Sequence, residues 1–322
     1  MAVKKSKFLW DLAKLRPGFH HRRVERDGVG FEAFAWRGGP GPTLLVNGAT
    51  HGDEYEGPTL LRRWVEKWKP RGLRGTVVMI PVLNETAFFA AQRCSPVDGL
   101  NLARVFPGSR KGKPTQRLAC LFDEQFLAQV SHYIDLHSAG ATYELLPWGG
   151  YGTSVAKPVE RTQRGMTACF DRFWNWSGPA LPGRTLSAAR DRGIPAIYTE
   201  CRGAGSVHPD DLAAIDSGLR NVIIYLGLVK GKLPRLRKQK SRITRDAKET
   251  HLQVHHLAPH AGIFFPQAKL GQKVRKGEVI GQLYALNGKT TEMYAEGNGR
   301  IVLHRRQRSV SKGDALATLA PI

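Results

Sequence analysis

Three short apolar runs of this chain each stop at a residue able to do chemistry. Thr43-Leu-Leu-Val46 runs into Asn47-Gly-Ala-Thr-His51-Gly-Asp53-Glu54, Ile134-Asp135-Leu136 ends at His137, and Ile194 to Thr199 ends at Glu200. Short apolar runs bounded by Gly, Pro and Asn read as buried strands. Gly75 to Leu83 and His132 to Leu136 read the same way. Helical spacing lies between them: Gly57 to Lys67 with Leu60, Leu61 and Trp64 as its apolar positions, Phe122 to Val130, and Leu212 to Leu228. Strands alternating with helices predict an α/β fold, a mixed and mainly parallel sheet flanked by helices. Such sheets place their sites beyond strand carboxyl ends, where His51, His137 and Glu200 fall.

At 322 residues the chain can bury a substantial core, either as two domains or as one large domain with an appendage. No apolar run approaches the roughly 20 residues that span a bilayer. The N-terminus begins like a signal peptide, but Asp11 and Lys14 break its apolar stretch early, so a cytoplasmic protein is expected. Cys94, Cys120, Cys169 and Cys201 show no paired spacing, which argues against a disulfide framework and a cysteine-type metal site. The net charge of +22 is partly concentrated in Lys230 to Lys248. It suits anionic small molecules as well as polyanions, and no zinc-finger, basic-region or RNP-type signature marks a specific nucleic-acid binder.

The texture changes beyond a basic stretch read as a linker over residues 235–250. Val274-Arg-Lys276-Gly277-Glu278 recurs as Val310-Ser-Lys312-Gly313-Asp314, a repeat with a period of 36 residues. Short β runs broken by Gly turns, occurring twice, predict a small all-β barrel-sandwich over residues 251–322, after a catalytic domain over 1–234. This part resembles the lipoyl/biotinyl domains, but Lys289 lacks the Met-Lys-Met context of a cofactor-carrying lysine and reads as a turn residue. His255, His256 and His260 cluster at its start, and His20 and His21 lie in a basic N-terminal segment; solvated or interdomain roles are expected for both groups.

Two His and one Glu with an open fourth position form a catalytic zinc set, and an unligated Glu is the usual base beside it. The three-residue spacing of His51 and Glu54 lets an imidazole nitrogen and a carboxylate converge on one ion, and His137 supplies a third donor. Glu200 is then the free carboxylate, and Asp135 stands ready to orient His51 or His137.

The ordered set Asn47 to Glu54, Asn84, Arg93, Pro96-Val-Asp98-Gly-Leu-Asn101-Leu-Ala103-Arg104-Val-Phe-Pro107-Gly108, Asp135-Leu-His137 and Glu200 resembles the succinylglutamate desuccinylase/aspartoacylase family, relatives of zinc carboxypeptidases. The resemblance implies a zinc-carboxypeptidase-like catalytic domain holding one Zn²⁺ on His51, Glu54 and His137. It implies Glu200 as general base and proton shuttle, Arg93 polarising the scissile carbonyl and Arg104 gripping a substrate carboxylate. The chain departs from the family at Ala103, where Asn is usual, which removes one donor to the substrate. Asn101, two residues earlier, is the candidate to compensate as a substrate-binding residue.

Three readings follow. The first is a zinc-dependent amidohydrolase that deacylates an N-acylated amino acid or related small molecule carrying a carboxylate. The second keeps the metal and takes short peptides, as carboxypeptidases do. The third is an inactive scaffold that binds polyanions. No membrane partner is expected, and a homo-oligomer is compatible with all three.

Overall fold

The computed structural model describes residues 8–234, 241–243 and 252–320. The strands of its first part are β1 (Gly18–Arg26), β2 (Val29–Arg37), β3 (Gly39–Gly48), β4 (Arg74–Ile80), β5 (His132–Ser138), a short β6 (Tyr143–Leu145), β7 (Trp148–Thr153), β8 (Trp174–Pro179), β9 (Ala196–Cys201) and β10 (Ser241–Ile243). All but β6 form one nine-stranded sheet in the order β1-β2-β4-β3-β5-β9-β7-β8-β10. Its centre, β4-β3-β5-β9, is parallel, with antiparallel pairing at β1-β2, β2-β4 and β9-β7. The helices are α1 (Glu56–Lys67), α2 (Glu85–Phe89), α3 (Pro114–Gln125), α4 (Lys157–Ala168), α5 (Thr185–Asp191) and α6 (Pro209–Tyr225).

The central strands read as unbroken apolar runs because both faces of the sheet are covered. Leu45, Val78 and Ile80 pack on one side with Phe122 and Tyr133. Leu44, Val46, Val77 and Met79 pack on the other with Leu60, Leu61 and Trp64 of α1 and Leu219 and Val222 of α6. One side chain in two therefore serves each core. The predicted mixed, mainly parallel α/β sheet is the architecture observed.

Three local features differ from expectation. The basic N-terminal segment holds a strand that the sequence reading did not mark: Phe19 to Arg26 form most of β1, an edge strand paired along its length with β2. Asp27-Gly28, both at positive φ (53° and 74°), makes the tight turn between them, a Gly-containing hairpin signal that the surrounding charges hid. Arg23 answers its exposure with Glu32 and Glu85. Helix α3 starts at Pro114 and gives way to a 3-10 turn, Leu127–Gln129, so the apolar run over Phe122 to Val130 is the end of one helix and a tighter turn after it. Strands β7 and β8 extend the sheet through Gly-rich and Trp-rich segments whose pattern did not identify them.

The C-terminal part contains β11 (Gly262–Pro266), β12 (Lys273–Val274), β13 (Val279–Tyr284), β14 (Thr290–Tyr294), β15 (Gly299–Arg305), β16 (Ser309–Val310) and β17 (Ala317–Ala320). Its two sheets run β14-β13-β11-β16 and β12-β15-β17. The repeat is visible in space: Gly277 and Gly313, at φ 85° and 87°, turn the chain at equivalent points, which a side chain would resist. The short strands then exchange partners. β12, from the first repeat, pairs with β15, and β16, from the second, pairs with β11. Lys289 sits in the β13–β14 turn, its amide donating to Asn287 Oδ1 at 3.2 Å.

Strand β6 joins the two parts. It pairs antiparallel with β15 (Leu303 opposite Leu145), and His304 meets Glu144 at 3.1 Å. The stretch read as a basic linker lies outside the described residues except for Ser241–Ile243, which pairs in parallel with β8. No helix among the described residues is long and apolar enough to cross a membrane.

Candidate active site

The carboxyl end of β3 is where the site begins. Gly48 and the residues after it fold tightly over the start of α1: a Cβ on Gly48 would lie 2.8 Å from the Pro58 nitrogen, and one on Gly52 only 2.0 Å from the Ala87 carbonyl carbon. This packing holds the loop carrying His51 and Glu54 against α1 and α2. In-register pairing of β3 with β5 and of β5 with β9 puts Gly48 beside Leu136 and His137 beside Glu200. Residues directly paired across neighbouring strands project to the same face, so His137 and Glu200 address one space.

His51, Glu54 and His137 lie together, each offering one ligand atom within 4.8 Å of the others. All three are nearly or fully buried. His51 Nδ1 is 2.7 Å from Glu54 Oε1 and His137 Nδ1 is 2.9 Å from Glu54 Oε2. Each ring's far nitrogen has its own acceptor: Asn101 Oδ1 at 3.0 Å for His51 and Asp135 Oδ2 at 2.9 Å for His137. A neutral imidazole has one N–H. If each Nε2–H donates outward, both Nδ1 lone pairs point at a carboxylate, an arrangement that requires a positive charge in the middle. The donor set and its outer partners therefore fit a divalent metal.

Ionisation in the protein alone shows the same demand for a cation. Burial pushes His51 down to about 4, with Arg93 adding to the effect. Burial also acts against the His137 cation, but Asp135 and Glu54 outweigh it and hold His137 well above its usual value. Glu54 loses to burial and gains more from the two imidazoles, and it stays well below the carboxylate range.

Asp135, fully buried, receives four donors: Asn47 Nδ2 at 3.0 Å and Thr50 Oγ1 at 2.9 Å on one oxygen, Thr185 Oγ1 at 2.6 Å and His137 on the other. Of the two rings it was expected to orient, it takes His137. Asn101, expected to touch substrate, has its amide oxygen engaged within the protein. Its amide oxygen accepts from His51 Nε2 and from the Ala103 amide at 2.9 Å, so it stands behind the His51 ring and caps the turn Leu102–Arg104.

An open cavity adjoins the cluster. His51 and His137 line it, with Arg93, Arg104, Glu200 and a residue that sequence reading passed over, Arg184. A second chamber shares Arg93, Arg104, Arg184 and Glu200 and reaches Leu252, Gln253 and Leu303 of the C-terminal part. Arg93 Nη1 is 3.2 Å from Glu54. Arg104 donates to its neighbouring carbonyl at Ala103 (2.8 Å). Burial, and then Arg184 and Arg93, bring Arg104 down to about 10. The Arg184 Nε is buried without a hydrogen-bond partner. Burial raises Glu200 to about 8; the Glu54 charge adds to this, while His137, Arg93 and Arg184 oppose it. Arg184 escaped notice because a lone Arg after Pro182-Gly183 has no local signature. The helix that starts directly behind it, α5, was the available clue.

The arrangement offers a cation site, a buried carboxylate able to hold a proton, and three guanidiniums facing the same cavity with Glu54 and Glu200 as their acidic neighbours. Such a site is suited to hydrolysing a small anionic compound.

Comparison with known proteins adds independent findings. The model of the succinylglutamate desuccinylase/aspartoacylase catalytic domain matches residues 40–226. The chain is similar to the N-alpha-acetyl-L-2,4-diaminobutyric acid deacetylase of Halomonas elongata, 30% identical over 291 residues, covering 88% of this chain and 83% of that protein. Among solved structures it is similar to the product-bound ectoine utilization protein EutE (DoeB) of Ruegeria pomeroyi, with a TM-score of 0.86 at 28% identity over 95% of this chain and 96% of that one. It is also similar to a succinylglutamate desuccinylase of Silicibacter sp. TM1040, with a TM-score of 0.85 at 25% identity over 95% of each chain.

Proposed function

The chain belongs to the succinylglutamate desuccinylase/aspartoacylase family, and we propose that it is a zinc-dependent amidohydrolase that removes the acyl group from an N-acylated amino acid. The observation that carries the proposal is the facing pair of Nδ1 atoms on Glu54, with both Nε2 atoms already engaged, beside a cavity lined by Glu200 and three arginines.

His51, Glu54 and His137 would hold the ion. When bound, it supplies Lewis acidity, lowering the pKa of water towards 7 and polarising a carbonyl. Glu200 is the proton carrier: it takes a proton from the attacking water and returns it to the amine as the C–N bond breaks. Burial favours its protonated form and nearby positive charge its ionised form, so the site can run both halves of that exchange. Arg93 faces the negative charge that develops on the carbonyl oxygen. A preorganised donor in that role contributes roughly 2.7–4 kcal/mol to the transition state. Arg104 and Arg184 hold the substrate carboxylate, for which a guanidinium fork is well shaped. Asp135 and Asn101 position the two imidazoles. The four cysteines are unpaired, in keeping with a cytoplasmic enzyme.

Purified protein is expected to hold about one zinc per chain, measured by plasma emission. Glu200→Gln is expected to keep that zinc and lose nearly all turnover. Full turnover in this variant would remove Glu200 from the chemistry, and the absence of a stoichiometric metal would remove the proposal.

A further inference from the structure

Every charged side chain around the cavity has a place in the scheme above, and the rest of the lining carries no charge. Beyond Arg184 the first chamber is bounded by Gly152, Gly178, Pro179, Ala180, Leu181 and Leu186, with Ala103 beside Arg104 and with Tyr151, Thr185 and Tyr198; the Thr185 and Tyr198 hydroxyls donate to Asp135 and the Trp176 carbonyl, and that of Tyr151 is buried. The wall is closely built: a Cβ on Gly152 would come within 2.7 Å of the Ala180 Cβ, so a bulkier side chain there has no room. The second chamber is more mixed: Ala139, Leu145, Trp148, Leu252 and Leu303 line it together with Ser138, Tyr143, Tyr198 and Gln253. Among the described residues lining either chamber, Glu200 is the one carboxylate.

We infer that the substrate is the N-acyl derivative of an amino acid with an apolar side chain, bound by a single carboxylate. The inference rests on the deacylase reading and narrows it. A substrate carboxylate pairs with the guanidiniums of Arg104 and Arg184, both of which line the cavity, and the side chain lies against the Gly152–Ala180–Leu186 wall. An ammonium on that side chain meets three guanidiniums and no acid reserved for it, so its lost hydration is not replaced. A second carboxylate enters an apolar wall and must compete for arginines already holding the first. Ala103 makes the same selection: where an amide would offer a polar contact, a methyl group faces the cavity. An apolar side chain needs none of these partners and gains from leaving water. By its printed name the Halomonas elongata relative acts on an acylated diamino acid; the two enzymes would then share chemistry and differ in side-chain pocket.

The test is a panel with the zinc-loaded enzyme: the N-acetyl derivatives of leucine, methionine, aspartate and 2,4-diaminobutyrate. The leucine and methionine compounds are expected to exceed the other two by at least tenfold in kcat/KM. Calorimetry of the free amino acids on the same enzyme, which involves no turnover, is expected to show leucine bound at least tenfold more tightly than 2,4-diaminobutyrate. Ala180→Asp, which puts a carboxylate on the bare wall, is expected to move the kcat/KM ratio towards the diaminobutyrate compound by at least tenfold. Hydrolysis of the panel with the charged side chains equal or preferred would overturn this inference and leave the deacylase reading standing. No hydrolysis of any member by zinc-loaded protein would end both.

Discussion

Asp135→Asn is the sharpest probe of how the site is held. The substitution keeps shape and changes one oxygen to NH₂ in a fully buried position. The carboxylate now receives two donors on each oxygen. An amide can turn its remaining oxygen to only one of these pairs. The better choice keeps it on His137 and Thr185 and points NH₂ at Asn47 and Thr50, because Asn47 Nδ2 has a second acceptor in Thr50 Oγ1 at 3.0 Å while His137 Nε2–H turns to Asp135 alone. Asn47 Nδ2 is then left facing a donor, a cost of about 1–3 kcal/mol. The bonds that survive also lose their charge assistance, from about 1.5–3 to about 0.5–1.5 kcal/mol each. The metal-free protein is therefore expected to lose roughly 3–6 kcal/mol of stability, read from urea unfolding. Zinc affinity is a separate readout. Loss of such an outer partner costs about 10–100-fold, equal to about 1.4–2.7 kcal/mol. The amide still orients His137, so about tenfold is expected for Asn and nearer 100-fold for Ala, measured by competition with a chromogenic chelator. A destabilised Asp135→Asn protein that binds zinc as tightly as the parent would refute the reasoning: Asp135 would then serve the fold and not the metal.

Two further outcomes follow from other parts of the molecule. Arg184→Met should raise KM for an acyl-amino acid about 10–100-fold with kcat within a few-fold, since a carboxylate anchor away from the scissile bond acts mainly on binding; a kcat collapse at unchanged KM would reassign it to the reacting atoms. In the C-terminal part, His256 is buried with Nδ1 on the Ala317 carbonyl and Nε2 accepting from the Glu296 amide, and burial, resisted by Glu296, lowers its pKa below 6.5. A depressed basic group contributes stability above its unfolded pKa, so that contribution should fade as pH drops from about 6.5 towards and through the lowered value. The parent should therefore lose more stability between pH 7 and pH 5 than His256→Gln, compared by thermal unfolding at both; equal losses would show that His256 does not titrate in the fold.

Much of the site was legible because its donors are tied to local signals. His51 and Glu54 are three residues apart in one loop, and His137 and Glu200 end apolar runs that could only be buried strands. What the linear chain left open were the partnerships between distant segments. Asn101 could be placed between the ligand motifs, yet whether its amide reached substrate or His51 depended on how the Leu102–Arg104 turn packs against the β3 loop. Arg184 lies far along the chain from Arg104 and becomes its neighbour only when α5 docks beside β5, through the bond from Thr185 to Asp135.

Chain chemistry alone thus determined the class of fold, the residue types of the candidate cation site and the doubled β module, because strand burial, short-range spacing and repetition are properties of neighbouring residues. Tertiary structure decided which imidazole each outer partner holds, which arginines share a cavity, and how β6 binds the small module to the large one. Those outcomes depend on the register between strands and on the docking of loops far apart in sequence, where a shift of one residue turns a side chain to the opposite face.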